Sequence, residues 1–167
     1  MLRGLVITSA VLLSACNFEI PKVPPENPVY SAAQMAGMHE RRDRQELKSF
    51  LGVDPSRTEW CAAFVNAVLN KHNIPGSESV SEYPLMARSF LSWGESVDVP
   101  QIGDIIVFPR GNAGWQGHVG FYVMTSEDGK YYYILGGNQT DSISIERYSV
   151  SSALSIRRSN TEYSLPL

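Results

Sequence analysis

Two hydrophobic periods divide the chain. Up to about residue 93 the apolar positions recur at helical spacing, and from residue 100 they form short strand-length blocks. Asp43 with Glu46 resembles a capping box, Leu47, Phe50 and Leu51 form an apolar stripe, and Gly52 can end that helix. After the Asp54-Pro55-Ser56 turn, Thr58 is a fair N-cap for a second helix with Cys61, Phe64, Val65, Val68 and Leu69 on one face. Asn73-Ile-Pro-Gly76 stops it, and a third helix is predicted over Tyr83 to Ser92. Ile105 to Phe108, Val119 to Met124, Tyr131 to Leu135, Ser142 to Tyr148 and Leu154 to Arg157 read as strands. Asp128-Gly129 is the hairpin turn between the second and third of these. Helices first and an antiparallel meander afterwards predict an α+β fold, with N-terminal helices packed on an antiparallel β-sheet.

The first residues change the picture. Arg3 precedes an apolar stretch from Leu5 to Leu13, too short for the ~20 residues a bilayer span requires. It fits the core of a secretory signal. Leu13-Ser-Ala-Cys16 resembles the lipobox of bacterial lipoproteins, which implies a signal peptide over 1–15, cleavage before Cys16 and acylation of its thiol. Pro21, Pro24, Pro25 and Pro28 then make residues 16–30 a tether with a reach of up to roughly 40 Å, leaving 31–167 as the domain. Asn17 after Cys16 resembles an outer-membrane sorting signal. The chain is therefore expected to be exported and lipid-anchored at Cys16, on the outer membrane facing the periplasm.

Charge excludes one class of partner. Residues 1–15 hold Arg3 and no acid, so without them 14 basic side chains become 13 against 17 acidic ones, a balance of −4. Arg41, Arg42 and Arg44 are interleaved with Glu40, Asp43 and Glu46, which is a solvated helix face rather than a nucleic-acid footprint. No His and acid spacing matches the usual zinc patterns, and no cofactor is implied. A monomer is expected.

The chemistry concentrates on two residues. If Cys16 is acylated, Cys61 is an unpaired thiol in an exported chain. It lies in the first turn of its helix, where the macrodipole favours a thiolate, although burial is the commoner fate of a free cysteine. His118, in Gly117-His-Val-Gly120, is flanked by glycines that permit close approach. His72 lies at the far end of the Cys61 helix, about 16 Å away at 1.5 Å per residue, and is excluded as its base, whereas His39 is not excluded by spacing. A two-residue hairpin turn would set His118 opposite Gln139, and a longer loop or a bulge would bring Asn138 there instead. Either amide carbonyl could fix the imidazole tautomer. Trp60, Trp93 and Trp115 are aromatic surfaces for a glycan or peptide, with core packing the competing role for Trp60 and Trp93.

Trp60-Cys-Ala-Ala-Phe-Val65, Pro100-x-x-Gly-Asp-Ile-Ile-Val-Phe108, Gly117-His-Val-Gly-Phe-Tyr-Val123 and Leu135-Gly-Gly-Asn-Gln139 stand in the order found in CHAP-type cell-wall amidohydrolases. The chain resembles that family from roughly Asp43 to Arg158, and within it an endolysin-like group. The resemblance implies a papain-like fold related to NlpC-type peptidases, with peptidoglycan as substrate. It also implies Cys61 as nucleophile, His118 as base and Asn138 as orienting residue; Gln139, Trp60 and Trp115 are the expected substrate contacts. Many such domains carry an acid two positions before that Asn, where this chain has Gly136. The acid is then missing or borrowed from Glu59 or Asp104, of which Glu59 also complements the helix dipole and Asp104 closes a turn. The expected reaction is amide hydrolysis through a Cys61 thiolate paired with His118. A catalytically silent peptidoglycan-binding lipoprotein, or a cysteine acyltransferase or transpeptidase on the same fold, are the competing readings.

Overall fold

The computed structural model describes residues 21–161, so the expected signal peptide and the expected lipid attachment at Cys16 lie outside the described residues. Three α-helices come first: α1 (Pro28–Gln34), α2 (Arg44–Leu51) and α3 (Cys61–Lys71). Six strands follow: β1 (Glu95–Val97), β2 (Ile105–Pro109), β3 (Gly117–Thr125), β4 (Tyr131–Gln139), β5 (Ser142–Ser149) and β6 (Ser155–Arg158). They form one antiparallel sheet in the order β1-β6-β2-β3-β4-β5. The α+β expectation holds.

Four local expectations are corrected. The Pro-rich segment is folded from Asn27 onward, because the Asn27 side chain accepts from the Val29 amide, Pro28 fills the first helical turn and Val29 is fully buried. Asp43 forms no capping box; its carboxylate accepts from the His39 amide and from Arg42 instead. Thr58 does not cap α3, whose boundary residue is Trp60. Between Tyr83 and Ser92 only Ala87–Ser92 is helical, as a 3-10 turn. The carbonyl of Pro84 is instead bonded by Asn66 and Ser77.

The sheet separates two cores. Val119, Phe121, Leu135 and Ile143 face the helices, packing with Trp60, Phe64, Val65, Val68 and Leu69 of the α3 region. Ile106, Phe108, Tyr122, Tyr132 and Ile134 fill the opposite face. Tyr148 of β5 stacks on Phe108 of β2 with ring centroids 4.6 Å apart. On a flat sheet those strands would be about 14 Å apart, three spacings of ~4.8 Å, so the sheet must curl to bring β5 over β2.

Register near His118 is set by two irregularities. In the β3–β4 hairpin, Met124 pairs with Tyr133 but Tyr122 with Ile134, so Val123 is an extra residue in β3. In β4, Gly136 pairs with Ser144 and Gln139 with Ser142, so the stretch between them holds one extra residue. Asn138, at φ +57, is within that second bulge.

Candidate active site

Cys61 opens α3, and the helix is held close to the sheet by glycine. A Cβ on Gly137 would stand 2.5 Å from Trp60 Cζ3 and 2.7 Å from Phe64 Cβ, so only hydrogen fits between β4 and the start of α3. The backbone of Val119 and of Ala62 lies close enough to the thiol to favour its charged form. Val119 directly follows His118, so the helix start and the histidine strand meet at the sulfur. Cys61 is 3 % exposed and His118 1 %.

His118 has asymmetric surroundings. Its Nε2 lies 3.0 Å from Gln139 Oε1, whereas its Nδ1 is buried with no hydrogen-bonding partner. Its ring stacks on Tyr148, centroids 5.1 Å apart and planes 12° from parallel. The Gln139 amide nitrogen donates to the Ser144 carbonyl at 2.6 Å, which turns Oε1 toward the imidazole.

The amide facing the imidazole is therefore that of Gln139, not that of Asn138. Asn138 Nδ2 donates to Glu59 at 2.7 Å, at the surface and away from the imidazole. The reason is the β4 bulge. Alternation from Ile134 through Gly136 would carry Asn138 to the His118 face, but the extra residue reverses the alternation and delivers Gln139 there. Gly136 completes the arrangement, because a Cβ there would stand 3.2 Å from both His118 Nε2 and Gln139 Oε1. The place of the family's acid is occupied by the Gln139 carboxamide.

Three other expectations about contact residues separate. Trp60 is fully buried, with its Nε1 donating to Glu40 at 3.2 Å, and Gln139 is buried with its carboxamide against the imidazole. Trp115, 64 % exposed in the loop before β3, is open to contact. Trp93 is buried and donates to the Pro75 carbonyl at 2.8 Å. His39 accepts from the Arg41 amide and His72 Nε2 lies 2.8 Å from Ser31 Oγ, so both are engaged elsewhere. Asp104 accepts from the Gln101 amide and from Arg158, the turn-closing role expected of it.

Two residues escaped the sequence reading. Arg110 donates to the Asn138 carbonyl at 3.1 Å and pairs with Glu59 at 3.6 Å, so its charge bears on the thiol. The Pro109–Gly117 pairing, which places Arg110 one residue beyond the strand that flanks His118, would have flagged it had the register been known. Tyr148 reaches the site only through the curl of the sheet, which leaves no local sequence signal.

Electrostatics favour a neutral resting pair. Burial pushes the Cys61 thiol up, opposed by the Arg110 charge and by the Val119 and Ala62 amides. Burial, reinforced by Arg110, brings the His118 imidazole down to about 3, against the Gln139 hydrogen bond. Burial thus opposes the charged form of both groups of the thiolate–imidazolium pair expected from the sequence.

A buried thiol on a helix start, a histidine oriented from behind and nearby backbone amides constitute the parts of a cysteine acyl-transfer site. The CHAP domain family matches residues 53–138. The chain belongs to the CHAP family. CHAP domains are typically cysteine- and histidine-dependent peptidoglycan hydrolases, which agrees with the parts assembled here. No curated protein matches the chain. Among the described residues of this CHAP domain, no group of three or more His, Cys, Asp or Glu side chains is placed to hold a metal ion. Nor is any helix among them long and apolar enough to cross a membrane.

Proposed function

We propose that this CHAP domain cleaves an amide bond in peptidoglycan, with Cys61 as nucleophile, His118 as base and Gln139 as the group that orients the imidazole. The supporting observation is a thiol that feels the Val119 backbone, next in the chain to a buried histidine whose Nε2 is held by Gln139.

The residues supply each step. His118 Nδ1 takes the thiol proton as the sulfur adds to the substrate carbonyl, so charge develops with the reaction rather than before it. The carbonyl oxygen becomes an oxyanion stabilised by the Cys61 backbone N–H at the start of α3. The tetrahedral adduct collapses, the C–N bond breaks and the leaving amine takes the proton from the imidazolium. Water, deprotonated by the same Nδ1, then hydrolyses the thioester and restores the thiol. Arg110 favours the transient thiolate. Both an N-acetylmuramoyl-L-alanine amidase and a peptide endopeptidase use this chemistry.

The lipobox-like Leu13-Ser-Ala-Cys16 supports an envelope lipoprotein acting on the wall from a membrane anchor at Cys16. Purified mature protein should release peptide or sugar-peptide fragments from peptidoglycan sacculi, and Cys61→Ala should abolish release. Equal release by the two proteins would overturn the catalytic reading in favour of a binding protein. Transfer to an added amine in preference to water would instead identify a transpeptidase.

A further inference from the structure

Tyr148 stacks both on Phe108 (planes 26° apart) and on the His118 imidazole. Its hydroxyl lies 3.0 Å from Gln139 Oε1, the same oxygen that faces His118 Nε2. The direction of every proton in this cluster follows from one carboxamide. Gln139 Nε2 points at acceptors: the Ser144 carbonyl at 2.6 Å, Ser144 Oγ at 3.2 Å, and the Ile134 and Gly136 carbonyls at 3.4 Å. A flipped amide would set a carbonyl oxygen against these carbonyls, so Oε1 must be the end that faces His118 and Tyr148. Oε1 can only accept. Both neighbours are therefore donors, His118 through Nε2–H and Tyr148 through O–H. A neutral imidazole with its hydrogen on Nε2 has its lone pair on Nδ1, the nitrogen without a partner.

We propose that Tyr148 is a positioning residue for the CHAP reaction, acting through Gln139 to hold His118 as the Nε2–H tautomer and fixing the ring plane by stacking. The hydroxyl gives Oε1 a second donor, so the carboxamide has no reason to rotate off the imidazole. The phenol ring also offers its face to the imidazolium that forms when the thiol proton arrives, at a centroid separation within cation–π range. Burial first, and nearby acidic groups after it, push the Tyr148 phenol up to about 12, so it remains a donor across the neutral range even with the Arg110 charge opposing.

The role rests on His118 being the base, and the test separates the two ideas. Tyr148→Phe keeps the stack and removes the hydroxyl; Tyr148→Leu removes both. With histidine labelled in both ring nitrogens, two-bond proton–nitrogen spectra of the full domain report the tautomer of His118 whether or not any substrate is turned over. Wild type should show Nε2–H, and Tyr148→Phe a mixture of tautomers. On a soluble muropeptide, Tyr148→Phe should lose about tenfold in kcat, part of the general-base contribution, with KM within about twofold. Tyr148→Leu should lose more, and thermal melts will show whether its fold is retained. An unchanged His118 tautomer in Tyr148→Phe overturns the proposal, as does a loss confined to KM. Wild type inactive on every muropeptide would sink the hydrolase reading, while the spectra would still decide the role of Tyr148.

Discussion

Gln139 Oε1 stands 3.0 Å from His118 Nε2, while the neighbouring Asn138 turns its side chain to Glu59. One extra residue in β4 produces that exchange. The expected kinetic result is a contrast between adjacent amides. Gln139→Ala should lower kcat by about tenfold or more, since it frees the imidazole behind the base. Asn138→Gly, chosen because Asn138 has a left-handed φ of 57°, should change kcat by less than about threefold. The measurement is turnover of a soluble muropeptide, and a larger loss in the Asn138 variant would return the orienting role to that residue.

Gly136 can be used to test the same geometry from the other side. Gly136→Glu sends a side chain into the space 3.2 Å from the imidazole and from the Gln139 carboxamide. Alone it should displace Gln139 and reduce activity. Combined with Gln139→Ala it should recover activity relative to either single variant, giving a favourable coupling of about 1 kcal/mol or more in a double-mutant cycle. Additive losses would show that the acid position and Gln139 do not share one space.

The neutral resting pair has a pH signature. The thiol is raised above its ordinary range by burial, and the imidazole is neutral above about pH 3. Alkylation of Cys61 by iodoacetamide in the free domain should therefore climb through the alkaline range with no plateau between pH 4 and 7. A plateau across that interval would reveal a thiolate already paired with His118.

The same burial makes stability depend on pH. The folded pKa of His118 lies below the ordinary value of 6.5, so between pH 6.5 and about 3 the unfolded chain binds the extra proton. The His118 contribution is complete above pH 6.5 and is lost as pH falls toward 3. At pH 4.5 this amounts to a loss of about 2.5 kcal/mol relative to pH 7, which His118→Asn should remove. Urea melts of both proteins at pH 7 and 4.5 will read the difference, and parallel pH dependence in the two would contradict a buried neutral imidazole.

Gly137 is where α3 meets the sheet. Gly137→Ala would place its methyl 2.5 Å from Trp60 Cζ3 in a packed core, with an expected cost of about 1–3 kcal/mol and a displaced Cys61. Denaturation midpoint and turnover should fall together. A stable, fully active variant would show that the helix start is free to give way.

The α+β class, the hairpin at Asp128-Gly129, strands β2 to β6 and the identities of Cys61 and His118 were legible in the chain, because each depends on periodicity or on residues adjacent in sequence, whereas the three-residue β1 is too short to show a period. Cys61 at the first position of α3 and Gly52 as a left-handed helix stop agree with the sequence reading for the same reason. The caps were less legible: Asp43 and Thr58 had suitable side chains, but the carboxylate of Asp43 had a better-placed donor in the His39 amide and in Arg42. The partner of His118 was not legible at all. The choice between Asn138 and Gln139 depends on counting residues around two bulges, and one residue more or less exchanges the faces of the strand. Tyr148 and Arg110 were further out of reach, since sheet curl and strand register bring them to the site across long separations in the chain. Local patterning records which residues can do chemistry; which of them meet is a property of register and curvature, and these belong to the sheet as a whole.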